Sequence, residues 1–176
     1  GMRGLVIGGG PIGTMAAQWM KLKGVSPVYI ADIDSEKLKI AETLGLRAIN
    51  SSESDPVEVM QSFGGADCVI EACGLPATFT QAVESAARFG QVVFMGNIHG
   101  IFSLTEKKFS AILRNELTIQ GTWNSKITPR GKDDWSRALQ FMDRAIQVKP
   151  LISHQSTLSQ GVEIFNDVYA NRIWYN

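Results

Sequence analysis

Short apolar runs alternate along the chain with stretches whose apolar residues recur every three or four positions, and glycine or proline stands at most of the boundaries. The first pattern predicts buried strands and the second amphipathic helices. Leu5, Val6 and Ile7 begin a strand that breaks into Gly8, Gly9 and Gly10 and resumes as a helix ending near Lys23 and Gly24. A second strand covers 28–31 and ends on Asp32; Asp34 or Ser35 then caps a helix carrying Leu38, Ala41 and Leu44, which Gly45 closes. A short strand at 47–49 follows, and Asp55 and Pro56 supply a cap and first-turn proline for a helix over 57–63. After Gly64 and Gly65 come a strand at 66–72, a helix opened by Pro76 and running to Arg88, and a strand at 91–95. A helix at 107–115, a sixth strand at 117–123, a polar loop at 125–131 and a helix bearing Trp135, Ala138, Leu139, Met142, Ala145 and Ile146 complete this series. The remainder reads as an extended crossover at 149–154, a helix at 161–171 and an apolar end at 173–176.

Strands that are unbroken apolar runs, each followed by a helix, belong to a parallel sheet covered on both faces. The predicted fold is therefore α/β, a Rossmann doubly wound parallel six-stranded sheet in the order 3-2-1-4-5-6 with helices on both faces. A ligand would lie across the carboxyl ends of the first and fourth strands. Residues 1–148 are expected to form this Rossmann domain, with 149–176 a crossover segment and helix beyond it.

Gly8, Gly10 and Gly13 fit GxGxxG, in which the first glycine makes the turn, the second lets the backbone approach a pyrophosphate and the third packs helix on strand. The amides and positive end of the new helix would face the phosphates. Asp32, nineteen residues past Gly13, stands where an acid can accept both ribose hydroxyls of adenosine and repel a 2′-phosphate. An S-adenosylmethionine methyltransferase also places a glycine turn before a helix, but the full GxGxxG and the sixth strand argue against it. A stand-alone NAD(H)-sensing module is the rival of another class.

Composition narrows the partners. Among 176 residues, 17 basic and 17 acidic side chains balance, and no block of like charge exceeds a pair, so neither nucleic acid nor a membrane surface is indicated. The uncharged run to Met20 imitates a signal peptide, yet its glycines and Pro11 break it too often for a spanning helix. Cys68 and Cys73, in or just after an apolar run, suit small core residues and a reducing cytoplasm. His99 and His154 have no partner that the sequence places beside them, and read as surface histidines.

Taken together, Gly8 to Gly13, the stretches 31–38 and 41–45, the run Glu71, Ala72, Cys73, Gly74, and Gly90 to Gly96 resemble the coenzyme-binding domain of the medium-chain dehydrogenase superfamily, the zinc-containing alcohol and polyol dehydrogenases. Residues 112–123, with His99 and Trp135, resemble the polyol branch. The resemblance implies that Gly8, Gly10, Pro11, Ile12 and Gly13 face the pyrophosphate of NAD, Asp32 the adenosine ribose, and Ile33 and Lys37 that sugar's surroundings. Cys73 and Gly74 would lie on the adenine side, and Gly96, Asn97, Ile98, Thr122 and Trp123 would border the nicotinamide. Lys37 reads equally as a solvated helix lysine, and Cys73 more readily as a packing residue. The implied parent activity is oxidation of a secondary alcohol of a polyol or polyol phosphate by NAD⁺. Its zinc would be held by an amino-terminal catalytic domain that these residues do not include, so the chain alone is expected to be inactive. The sixth strand carries no charge or proline and lies at a sheet edge, which predicts a homodimer through it, unless the loop at 125–131 folds over that edge.

Overall fold

The computed structural model describes residues 1–125, 133–142 and 144–170. Strands β1 (Gly4–Ile7), β2 (Val28–Asp32), β3 (Arg47–Asn50), β4 (Ala66–Glu71), β5 (Ala86–Phe94) and β6 (Thr118–Gly121) form one sheet in the order β3-β2-β1-β4-β5-β6. Every pairing is parallel, as the apolar runs require. Helices α1 (Pro11–Leu22), α2 (Ser35–Thr43), α3 (Pro56–Gln61), α4 (Pro76–Ser85) and α5 (Glu106–Arg114) are the crossovers, and α6 (Asp134–Met142) and α7 (Gly161–Tyr169) follow.

Alternate side chains of each strand feed opposite cores. Leu5, Ile7, Tyr29, Val69 and Val92 pack with Met60 of α3 and Ala82 of α4 on one face. Val6, Val28 and Ile30 pack with Ala17 and Met20 of α1 and Leu38 and Ala41 of α2 on the other. Both faces of the central strands are thereby sealed, which is why those strands tolerate no polar alternation. Helix α6 reaches the domain through an edge-to-face contact of Phe141 with Trp19, ring centroids 5.2 Å apart. The Gln18 side-chain amide adds a reciprocal pair of bonds to the main chain of Gln147, its Oε1 accepting from Gln147 N at 2.7 Å and its Nε2 donating to Gln147 O at 3.1 Å.

The fourth helix is shorter than its pattern predicts, ending at Ser85 rather than Arg88. Ala86 is already extended and buried, and it pairs with Ala66. The strand then slips in register before Gln91 pairs with Cys68, an irregularity that includes Phe89 at φ 63°. Burial and ladder hydrogen bonds outweigh the helical periodicity of a few residues. Strand β6 is also shorter than expected, and α6 ends at Met142 rather than at Ile146, which is buried beyond the helix. All but the first residue of the loop at 125–131, and the end of the chain from residue 171, lie outside the described residues.

Candidate functional site

Ile49, Ala31, Ile7, Glu71, Phe94 and Gly121 stand in one register row across the sheet. The predicted site residues other than Lys37 follow that row at the carboxyl ends of five strands: Asp32 and Ile33 after Ala31, Gly8 to Gly13 after Ile7, Cys73 and Gly74 after Glu71, Gly96 to Ile98 after Phe94, and Thr122 and Trp123 after Gly121. The chain direction around the sheet reverses between β1 and β4, so the row brings these segments to the switch point where open α/β sheets take ligands.

Each glycine of the first turn meets a separate constraint. Gly8 has φ 112° and donates its N–H to Ala31 O at 2.8 Å, and a side chain on it would press on Cys73 and Ala72. A Cβ on Gly13 would run into Gly8 O, so α1 can rise this close to β1 only without one. At Gly10 the reverse holds: a Cβ would meet nothing within 4 Å, which leaves open space over the start of α1. No side chain caps α1, and its first turn holds no acid. In contrast, Asp34 caps α2 and Asp55 caps α3 through bonds of 2.9 Å to Glu36 N and Val57 N. The unsatisfied amides and dipole of α1 thus suit an anion supplied from outside the chain. Buried Thr14 fixes the turn from below, its hydroxyl donating to Gly9 O at 3.0 Å.

Asp32 is half-buried beside this opening. Its Oδ2 accepts from Gly9 N at 2.6 Å and its Oδ1 from Asp34 N at 2.9 Å. Each oxygen keeps a further lone pair, so the carboxylate is oriented yet still able to accept hydroxyls. The Gly9 bond also ties the acid to the glycine turn, a link the sequence spacing does not reveal. Lys37 Nζ lies 3.7 Å from Asp34 Oδ2, and Ile33, next to the acid, and Ile12, in the first turn of α1, are exposed.

Cys73 corrects the expectation of a core cysteine, because the residue is exposed at the crevice. Its sulfur is nevertheless turned against Gly8. Burial of the thiol, followed by the nearby Glu71 and Asp32 carboxylates, pushes its pKa up to about 12, with Lys37 pulling the other way. That direction disfavours the thiolate, the form that reacts. Cys68 is half-buried in β4, and its thiol is also held above the usual range by burial.

Two residues of the site, Glu71 and Thr78, lay outside the candidates read from sequence. Glu71 is fully buried at the end of β4, and its Oε1 accepts from Cys73 N, Gly74 N and Thr78 Oγ1 at 2.8, 2.8 and 2.7 Å. The signal available was a charged residue closing an otherwise apolar strand, with a threonine in the first turn of the next helix. Phe79 of α4, Phe94 at the end of β5 and Phe102 from the segment after β5 form an aromatic cluster, with Phe79 and Phe94 centroids 4.7 Å apart. Thr122 N donates to Phe94 O at 3.0 Å, and Trp123 is exposed. His99 and His154 are both exposed, in keeping with their reading as surface histidines.

A protein-family comparison matches residues 11–144 to the model described as zinc-binding dehydrogenase. The chain belongs to the zinc-binding dehydrogenase family. Within it, galactitol 1-phosphate 5-dehydrogenase of Escherichia coli K12 is 31% identical over 172 residues, which cover 95% of this chain and 50% of that protein. The crystal structure of galactitol-1-phosphate dehydrogenase from Escherichia coli superposes with a TM-score of 0.88 at 30% identity, covering 99% of this chain and 52% of that one. A putative zinc-binding dehydrogenase from Sinorhizobium meliloti 1021, bound to NADP, gives a TM-score of 0.81 at 26% identity, covering 93% of this chain and 48% of that one. The chain thus spans about half the length of the zinc-binding dehydrogenases it matches. Despite the family's name, no group of three or more His, Cys, Asp or Glu among the described residues could hold a metal ion. No helix among them is long and apolar enough to cross a membrane.

Proposed function

We propose that this chain is the NAD(H)-binding half of a zinc-dependent polyol dehydrogenase of the galactitol-1-phosphate 5-dehydrogenase kind. The observation that carries the reading is the pairing of an uncapped α1, open above Gly10, with an Asp32 carboxylate already oriented beside it. Gly8, Gly10, Pro11, Ile12 and Gly13 then receive the pyrophosphate, Asp32 the adenosine ribose, and Ile33 and Lys37 flank that sugar. Cys73 and Gly74 border the adenine side, while Gly96, Asn97, Ile98, Thr122 and Trp123 border the nicotinamide. NAD⁺, when bound, supplies the hydride acceptor for a secondary alcohol of a polyol or polyol phosphate. This chain's residues bind and orient the coenzyme, and the zinc and the alcohol are held by residues outside the matched half.

NAD is favoured over NADP because a 2′-phosphate would meet the Asp32 carboxylate; family membership alone does not choose, since one relative is bound to NADP. A homodimer through β6 is part of the same reading, supported by the exposure of all four residues of that edge strand, and so is a cytoplasmic setting. The deciding experiment is a fluorescence titration of the chain with NADH and NADPH, with S-adenosylmethionine as control and zinc content and polyol turnover measured in parallel. Tighter binding of NADH, no stoichiometric zinc and no turnover are expected. Equal affinity for the two reduced coenzymes would remove the role given to Asp32, and one tightly held zinc with turnover would remove the division of labour.

A further inference from the structure

Among the described residues, Glu71 is the only charged side chain that is buried. Its Oε1 gathers three donors: Cys73 N at 2.8 Å, Gly74 N at 2.8 Å and Thr78 Oγ1 at 2.7 Å. The Thr78 hydroxyl also lies 2.8 Å from Leu75 O, and its single proton serves one of these two acceptors at a time. The threonine oxygen in turn accepts from Leu75 N at 3.2 Å, so Glu71 and Thr78 together hold the three successive amides that lead into α4. Oε2, by contrast, is buried without a hydrogen-bond partner. It lies against Gly96, where an added Cβ would come within 2.5 Å of it.

The same residue reaches the next loop through its main chain. Glu71 O accepts from Met95 N at 2.9 Å and Gly96 N at 3.0 Å. The two loops also pack on each other: Gly74, at φ 81°, has no room for a Cβ because of Asn97 O, and Gly74 O accepts from His99 N at 2.8 Å. A buried carboxylate with an unpartnered oxygen is costly, and an apolar side chain would fill the space more cheaply. What an apolar side chain cannot do is hold the amides of residues 73 and 74 in the conformation that meets Asn97 and His99.

We propose that Glu71 is a positioning residue for the coenzyme, fastening the loop after β4 to the loop after β5 so that the two sides of the crevice are set as one body. Calling those sides adenosine and nicotinamide rests on the function proposed above. The buried carboxylate touches no coenzyme itself; it acts through the amides of residues 73 and 74, whose loop meets Asn97 O and receives His99 N, while the main-chain oxygen of Glu71 holds the amides of residues 95 and 96.

The test combines amide hydrogen exchange with titrations of NADH and of AMP, on the full chain and on Glu71→Ala, Glu71→Gln and Thr78→Val. Exchange is expected to quicken in Glu71→Ala and Thr78→Val both at residues 73–75 and at residues 96–99. In Glu71→Ala the NADH affinity falls about tenfold or more and the AMP affinity by a smaller factor, because AMP engages one loop only. Glu71→Gln, which keeps a carbonyl acceptor for the three donors, restores NADH binding to within about threefold. Faster exchange confined to residues 73–75, or equal losses of NADH and AMP, would overturn the proposal by showing that the loops are independent. Should Glu71→Ala fail to fold, Thr78→Val decides by the same two readouts. A wild-type chain that binds neither nucleotide overturns the coenzyme reading and this proposal together, and is recognised before any variant is compared.

Discussion

At the residue scale, the Asp32 carboxylate does two jobs, holding Gly9 N at 2.6 Å and offering its free lone pairs to the crevice. Replacing it by alanine therefore loosens the glycine turn as well as removing an acceptor. Asp32→Ala is expected to weaken NADH by about tenfold while leaving NADPH little changed, which narrows the preference; paired fluorescence titrations check this. Cys73 gives a second prediction of known sign. Its pKa is pushed up to about 12, so the reactive thiolate is scarce at neutral pH and its fraction grows as pH rises toward that value. Alkylation of the Cys73 peptide by iodoacetamide, followed by mass spectrometry, should be slow at neutral pH and quicken about tenfold per pH unit. Unfolding in guanidinium should restore the rate of an ordinary thiol.

At the element scale, α5 ends in a Schellman turn, with Leu117 N donating to Ile112 O at 3.1 Å and Glu116 N to Leu113 O at 3.2 Å. The residue at its left-handed position is Glu116, φ 51°, where glycine is usual. Glu116 also pairs with Arg88 at 3.0 Å, but both side chains are more than half exposed, and such a pair contributes about 0.5 kcal/mol or less. Relief of a left-handed backbone is worth about 1 kcal/mol. Glu116→Gly should thus raise the thermal midpoint by one or two degrees, roughly; a fall in calorimetry would mean the ion pair outweighs the backbone. Strand β6 carries the prediction about association. Ile119 lies mid-strand on an edge whose other neighbour is β5 alone, and Ile119→Lys should shift a dimer toward monomer in light scattering at micromolar concentration. A monomeric wild type, or a dimer indifferent to the lysine, would show that the edge is protected in another way.

At the scale of the whole molecule, coenzyme binding and stability are linked. A ligand at about 100 times its Kd adds about 2.7 kcal/mol to the folded state, and in a chain of this size each kcal/mol moves the midpoint by about 2–4 °C. Saturating NADH should therefore raise the midpoint by roughly 5–10 °C, and NADPH at the same concentration by less. The crevice is open as well as preformed: Ile12, Ile33, Leu75, Ile98 and Trp123 stand exposed around it. That apolar rim is in keeping with the coenzyme-binding role proposed above.

The sequence by itself determined the order of strands and helices, the glycine turn and the acid after β2. Those features are local: an apolar run, a cap or a GxGxxG spacing carries its physical reason within a few residues. The strand order followed from the same information, because parallel crossovers leave few alternatives. Only the tertiary structure decided what depends on residues far apart in the chain. It ended α4 at Ser85, because Ala86 is more favourably paired with Ala66 and buried than kept helical. It brought Cys73 out to the crevice, since the carboxyl end of β4 is where the sheet stops covering its own residues. It tied Asp32 to Gly9, and it buried Glu71 between two loops. A carboxylate in sequence is a charge that belongs on the surface; only the converging amides of residues 73 and 74 and the hydroxyl of Thr78 make an interior position tolerable for it.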